Sequence, residues 1–307
     1  MEKNMEFNFN YLKKRVLDSL DKTDLEYIRY ELKNIKRPIV VSGVGGSSVV
    51  SEFGSKVISR KNSIISINRE PRDFVYNKFV GFENVLSCSY SGNNYGVNLS
   101  FNNNLKHYLL SNNIFDDSNV TYLNYETSID KERSFISLGA TLIPVSILLS
   151  YYLNGNNKEI DKLIRECDYN FDVCCDAYEI FSGIDTSTTS KYLESTLVES
   201  GIGIPIVHDK YSYCHGRSTT SINYNNIAIY LYRNTEFDNL LIEELKYYYK
   251  DVIVLSSNYK DNILADYDML IQGMYLTKYI AMMKQKDLSN VKYSKIVKKL
   301  YKYEGKL

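Results

Sequence analysis

A short β-branched run that empties into a glycine-rich turn constrains this chain more than any other feature. Pro38-Ile39-Val40-Val41 leads into Gly43-Val44-Gly45-Gly46-Ser47-Ser48, after which Val49, Val50, Phe53, Val57 and Ile58 recur at helical spacing. Glycines at such a junction permit backbone conformations that other residues disfavour, so the segment predicts strand, tight turn, helix. Ile64-Ile65-Ser66-Ile67 predicts a second strand. Val85-Leu86-Ser87-Cys88 predicts a third, ending in a second turn, Ser89-Tyr90-Ser91-Gly92-Asn93-Asn94. A helix is expected over residues 95–110, carrying His107 on its surface, and then a strand over 120–123. Strands that alternate with helices call for a parallel sheet covered on both faces.

The flanking regions extend this pattern. Leu12, Val16, Leu17 and Leu20, then Leu25, Ile28, Leu32 and Ile35, mark two leading helices, with Thr23 and Asp24 as turn and N-cap. Residues 140–153 are strongly apolar but broken by Thr141, Pro144, Ser146 and Ser150, and they read as a buried core helix. Asn154-Gly155-Asn156-Asn157 is the best linker. Beyond it a second α/β unit is expected. Its helices fall over 158–180, 186–198, 237–249 and 266–286, and its strands over 202–207, 227–231 and 252–255. The expected fold class is therefore α/β, two domains that are each a parallel sheet flanked by helices. The expected boundaries are a helical lead-in at 1–35, domains at 36–155 and 156–286, and a basic tail at 287–307.

Composition excludes several function classes. Lys plus Arg and Asp plus Glu both number 37 in 307 residues, and the zero net charge argues against a nucleic-acid partner gripped by a broad basic field. No run reaches the ~18 apolar residues of a spanning helix, so no membrane role is expected. The N-terminal residues lack the basic, apolar and small-residue succession of a secretory signal. Five cysteines without a Cys-x-x-Cys or a Cys/His cluster at zinc spacing read as reduced thiols in a cytoplasmic protein, with neither metal nor cofactor.

Both glycine-serine turns fall at carboxyl ends of predicted strands, where open parallel sheets bind ligands. Gly43, Gly45 and Gly46 let the backbone approach an anion, and the following helix start offers N–H groups and a favourable dipole. Ser47, Ser48, Ser89, Ser91 and Asn94 add side-chain donors, a set suited to a phosphate monoester. The competing dinucleotide site would want G-x-G-x-x-G, but Ser48 stands where the third glycine belongs. Asn68-Arg69-Glu70, at the end of the second strand, keeps a 2′-phosphate pocket in view. The serine-rich second turn decides between them, because a dinucleotide fold has no need of an anion cradle there.

These two turns resemble the phosphate-binding signatures G-x-G-x-S and S-x-S-G-x-T of SIS (sugar isomerase) domains, with Asn94 in place of the usual threonine. The tyrosine at 90 is similar to that of phosphoglucose/phosphomannose isomerases. The resemblance implies two SIS domains, a sugar-phosphate substrate, and a phosphate held by Ser47, Ser89, Ser91 and Asn94. In the isomerase domain of glucosamine-6-phosphate synthases a glutamate precedes a His-Gly pair by sixteen residues, as Glu199 precedes His215-Gly216 here. That likeness implies Glu199 as the base shuttling a proton between C1 and C2, and His215 as the ring-opening acid/base, a role suited to a group that titrates near neutrality. It also implies Lys295 as a residue that closes the site, and a homodimer in which His215 acts on the neighbouring subunit's substrate. Thr196 departs from the family's lysine three residues before the glutamate.

Read from the residues alone, Glu199 is equally a surface charge at a helix end. Arg217 is a further candidate, for an enediolate or the phosphate, although a solvated arginine is commoner. Cys214 beside His215 suggests a nucleophile–base pair, against which stands the alternation of side chains along a strand. His208 reads as a structural strand-end residue. The expected function is an aldose–ketose isomerase acting on a hexose or aminohexose phosphate. The alternatives are a deglycase for a 6-phosphorylated sugar–amine adduct and a non-catalytic sugar-phosphate-binding regulator.

Overall fold

The computed structural model describes residues 8–92, 95–101, 103–115, 117–127, 136, 138–173, 175–221, 226–291 and 295–296. Two helices lead in, α1 (Leu12–Lys22) and α2 (Leu25–Asn34), and the Asp24 side chain caps α2 by accepting from the Tyr27 N–H at 3.0 Å. The first sheet follows with β1 (Ile39–Ser42), α3 (Gly46–Asn62), β2 (Ser66–Arg69), β3 (Asn84–Cys88), α4 (Tyr95–Phe101), β4 (Lys106–Ser111) and β5 (Val120–Asn124). All its strands are parallel, in the order β2-β1-β3-β4-β5. Successive crossovers leave β1 in opposite directions, so the switch point lies between β1 and β3, which pair from Ile39↔Asn84 to Ser42↔Ser87.

The chain continues through α5 (Leu138–Tyr152) and α6 (Asn157–Leu163) into a second parallel sheet of four strands. Its members are β6 (Ala177–Ser182), α7 (Ser187–Glu199), β7 (Ile204–Asp209), β8 (Ile227–Tyr232), α8 (Glu236–Tyr248), β9 (Asp251–Ser256) and α9 (Asn262–Met283). These strands are ordered β7-β6-β8-β9, and each pair is again parallel. The α/β class and the two helix-flanked parallel sheets expected from the sequence are thus present. No helix among the described residues is long and apolar enough to cross a membrane.

Three local expectations are corrected. Residues 95–110 are not one helix: α4 stops at Phe101, and Lys106–Ser111 is strand β4, with His107 stacked on Phe101 at 4.7 Å rather than carried on a surface helix. Asn103 makes the break, its amide donating to the Ser100 carbonyl (2.6 Å) and its oxygen accepting from the Leu105 N–H (2.8 Å), an Asx turn that competes with the helix. Residues 158–180 also split. α6 ends at Leu163, and 177–182 form the inner strand β6, paired on both sides, where tertiary pairing outweighs local helical preference. Finally, Cys214 and His215 lie not on a strand but in a helical stretch over residues 210–221.

The main cluster of buried apolar residues draws on both sheets, with smaller clusters around Phe181 and Tyr230 and around Val97 and Leu109. Helix α5 is buried from Leu138 to Tyr151 except at Ala140, and α9 from Ile263 to Ala281 is nearly so, consistent with their lack of a polar face. Buried Leu, Ile and Val side chains of this kind each contribute about 1.5–3 kcal/mol. Helix α3 packs on α5 and α7, closely enough that a Cβ at Gly54 would touch Leu148 Cδ1 at 3.2 Å and Val41 Cγ1 at 3.5 Å.

A polar clamp ties α3, α7 and α9 together. Lys56 pairs with Asp266, whose side chain is fully buried, and also donates to the Asp185 carbonyl at 3.2 Å. Asp266 accepts from the N–H groups of Thr188 (3.2 Å) and Thr189 (3.0 Å) and from Thr189 Oγ1 (2.7 Å), so an anion sits on the first turn of α7.

Candidate functional site

The turn after β1 needs its glycines. A Cβ on Gly43 would overlap the Ser47 carbonyl oxygen, and Gly45 has φ +58. The chain tightens into α3 through Ser47 N–H to Val44 O (3.1 Å) and Ser48 N–H to Gly45 O (2.8 Å). No side chain caps this helix start, whose positive dipole end faces solvent. The turn after β3 is held by Ser89, which is buried and accepts from the Gly92 N–H at 3.1 Å. Gly92 has φ +67, and its Cβ would lie 2.5 Å from Ser111 Oγ and 2.7 Å from Phe115 Cε2, so a side chain has no room there.

A cleft of about 190 Å³ opens between these turns and the C-terminal half of α7. Gly46 and Ser47 line it from the first turn, Tyr90 from the second, Thr141 from α5, and Ser195 and Glu199 from α7. Glu199 is the last residue of α7, and its Oε1 accepts from Ser195 Oγ at 2.9 Å. A Cβ placed on Gly45 would stand 3.7 Å from that same oxygen. The carboxylate therefore faces the glycine turn at the start of α3 across a narrow gap.

The clamp explains how residues so distant in sequence meet. Helices α3 and α7 run antiparallel: Lys56 reaches the start of α7, while Glu199 at its end reaches Gly45. From Lys56 back to Gly45, and from Thr188 on to Glu199, the chain advances eleven residues, roughly 16 Å of helix in each case. A carboxylate at a helix C-terminus opposes the macrodipole, so helix stability does not account for Glu199.

Gly45, Gly46, Ser47 and Glu199 come together. Ser89 and Ser91 flank the cleft-lining Tyr90 without lining the cleft themselves; Ser91 is exposed, its carbonyl accepting from Asn113 Nδ2 at 3.0 Å. Ser48 is buried and does not line the cleft. Asn94 lies outside the described residues.

His215 and Arg217 occupy an exposed turn after β7 and do not line the cleft. His215 has φ −92 and ψ 42, and Gly216, with φ +102, kinks the helical stretch. This turn is anchored by Tyr213, which is buried edge-on against Phe181 at 4.7 Å and beside His208 at 5.1 Å. Lys295 is exposed and does not line the cleft.

His208 is buried at the end of β7 and bonded to Glu179 Oε2 at 2.8 Å. Glu179 also accepts from Tyr249 Oη (2.5 Å) and Asn226 Nδ2 (2.8 Å). Burial pushes its carboxyl up, yet the hydrogen bonds from His208, Tyr249 and Asn226 prevail and hold it below the usual range.

Thr141 and Ser195 were missed as site residues. The first had a visible signal, as a polar break in an apolar helix; a Cβ on Gly46 would touch its Oγ1 at 3.0 Å. Thr196 is buried and lines the cleft.

The equivalent switch point in the second sheet, between β6 and β8, is filled by the protein's own groups. Gly183 N–H donates to Thr186 Oγ1 (3.0 Å), Arg233 pairs with Asp185 (3.0 Å), and Lys210 pairs with Asp238 (2.6 Å). Among the described residues no group of three His, Cys, Asp or Glu is arranged to hold a metal ion.

Solved structures resemble this architecture over nearly its full length. The C-terminal domain of a glucosamine-fructose-6-phosphate aminotransferase from Francisella tularensis superposes with a TM-score of 0.70 at 14% identity, covering 93% of this chain and 97% of that one. A tagatose-6-phosphate ketose/aldose isomerase from Escherichia coli gives 0.71 at 12%, with coverages of 94% and 96%. A glucosamine-6-phosphate deaminase from Thermotoga maritima gives 0.63 at 13%, with 95% and 97%. The fold is shared. No protein-family model matches the chain, and no curated protein matches it in sequence.

Proposed function

We propose that the protein is a cytoplasmic phosphosugar isomerase of two SIS domains, residues 36–155 and 156–286, acting on a hexose or aminohexose phosphate. The observation that carries this reading is the Glu199 carboxylate facing the glycine turn at the start of α3. The phosphate would rest on the α3 N-terminus, taking hydrogen bonds from Ser47 and from the turn of Ser89, Ser91 and Asn94. Glu199 would then remove the C1 proton of the ketose and return it to C2 of the enediol, giving the aldose. His215 would open the ring, and Lys295 and Arg217 would complete the site. The similar structures that carry isomerase and deaminase names support the substrate class.

Because His215 stands apart from the cleft, the reading places it in a homodimer, serving the partner subunit's substrate. The edge strand β7, with Ile204 and Ile206 exposed, supports that arrangement. The same separation, together with Thr196 in place of the family's lysine, favours a second reading, a sugar-phosphate-binding regulator without turnover.

Proton NMR in deuterium oxide distinguishes the two. The isomerase incorporates solvent deuterium at C1 of fructose 6-phosphate and C2 of its aldose product, and Glu199→Gln abolishes the exchange while leaving ligand-induced thermal stabilisation in place. Stabilisation by sugar phosphates without exchange in the wild type retires the isomerase and establishes the regulator.

A further inference from the structure

A second cleft, of about 460 Å³, lies at the opposite end of α3 from the candidate site, between α2 and the α5–α6 turn. Its walls carry four cations, Arg29, Lys33, Lys36 and Lys61, against one carboxylate, Glu26. In a chain of balanced charge this is a marked local excess. Glu26 stands 3.9 Å from Arg29, in a pair on one exposed helix face. Glu31, also on α2, does not line the cleft. Lys33 and Lys36 have no ion-pair partner among the described residues. Lys61 donates to two neutral acceptors, the Tyr152 carbonyl and Asn154 Oδ1, both at 2.8 Å. Burial and the nearby Lys33 push the Lys61 ammonium below its usual range, as expected where like charges crowd without a counterion.

The cleft is also framed by hydrogen bonds. Its floor is Asn62, which donates to the carbonyls of Leu32 (2.8 Å) and Ile35 (2.9 Å) and accepts from the Tyr151 hydroxyl. Arg29 lies so close over Gly155 that any side chain there would overlap its guanidinium. Tyr30, largely exposed on the rim, offers a ring face. The volume matches a small organic ligand, and cations on a fixed frame match a multiply charged one.

We propose that this cleft binds a phosphorylated small molecule carrying two or more negative charges, at a site separate from the cleft of Glu199. Arg29 and Lys61 are held by the frame, and Lys33 and Lys36 close on the ligand as its principal counter-charges.

Pyrophosphate is the probe, with isothermal titration calorimetry on the full chain at low and high salt. Lys33 and Lys36 are solvent-exposed, so Lys33→Ala/Lys36→Ala retains the fold, checked by an unchanged melting temperature without ligand. Expected is a wild-type isotherm with a salt-sensitive site that weakens at least roughly tenfold in the double variant, and that persists in Ser47→Ala at the other cleft. Equal affinity in wild type and double variant, or loss of the site in Ser47→Ala, overturns the proposal. So does tighter binding of an acidic peptide than of pyrophosphate, which assigns the cleft to a protein segment. None of these outcomes depends on whether the chain isomerises sugars.

Discussion

Removing the cation from the α3–α7–α9 clamp, with Lys56→Met, is expected to cost stability out of proportion to one surface-adjacent lysine. Asp266 is fully buried, and Lys56 retains 15% side-chain exposure. Stripping one partner from a buried pair costs about 3–5 kcal/mol, because a charge is left in a medium that solvates it poorly. Asp266 would keep its three donors from Thr188 and Thr189, so the lower end, about 3 kcal/mol, applies. At roughly 2.1 cal/mol/K of unfolding entropy per residue, 307 residues give about 0.64 kcal/mol/K and a melting temperature lower by roughly 5 °C. Lys56→Met/Asp266→Asn removes both charges and keeps an amide oxygen for Thr189, so the double variant should melt higher than Lys56→Met alone. Scanning calorimetry on the wild type, both single variants and the double closes the cycle. A double variant whose loss equals the sum of the singles, or a Lys56→Met shift below about 1 °C, refutes the clamp as a coupled unit.

Three further outcomes follow from the structure. Gly43→Ala must move backbone away from the Ser47 carbonyl, at a cost of about 1–3 kcal/mol, and sugar-phosphate affinity measured by calorimetry should fall with it. Glu179, whose folded carboxyl lies below the unfolded value near 4.5, contributes stability that is fully present above that pH and lost as pH falls through the folded value. Glu179→Gln should therefore melt lower near neutrality and show a flatter acid limb; parallel curves would discard this account. Cys88 is buried, with its thiol pushed far above the usual range, whereas Cys214 is exposed. Mass spectrometry after native iodoacetamide treatment should find Cys214 alkylated and Cys88 intact, and early labelling of Cys88 would contradict its burial.

What the sequence disclosed follows from how local each determinant is. The turn at residues 43–48 was legible because glycine geometry is set within a few residues, as the φ of Gly45 and the crowding at Gly43 bear out. The Asp24 cap and the apolar helix ending near 153 were legible for the same reason. Strands β4 and β6 were not. Leu109 and Leu110 of β4 are both buried, as are Ile180 and Phe181 of β6, so neither strand shows the apolar–polar alternation that would mark it. Sixteen-residue spacing singled out Glu199, but its approach to Gly45 depends on the packing of α3 on α7 and on Lys56 meeting Asp266, a contact across 210 positions. No periodicity encodes that.

The continuous core has a mechanical consequence. Helices α3, α5, α7 and α9 interlock beneath both sheets, so swinging one sheet away from the other would expose several Leu and Ile side chains at about 1.5–3 kcal/mol each. A bivalve-like gape about the 154–157 turn is thereby made costly. Glu199 is itself exposed at the mouth of its cleft, so a ligand reaches it over a chassis that stays put.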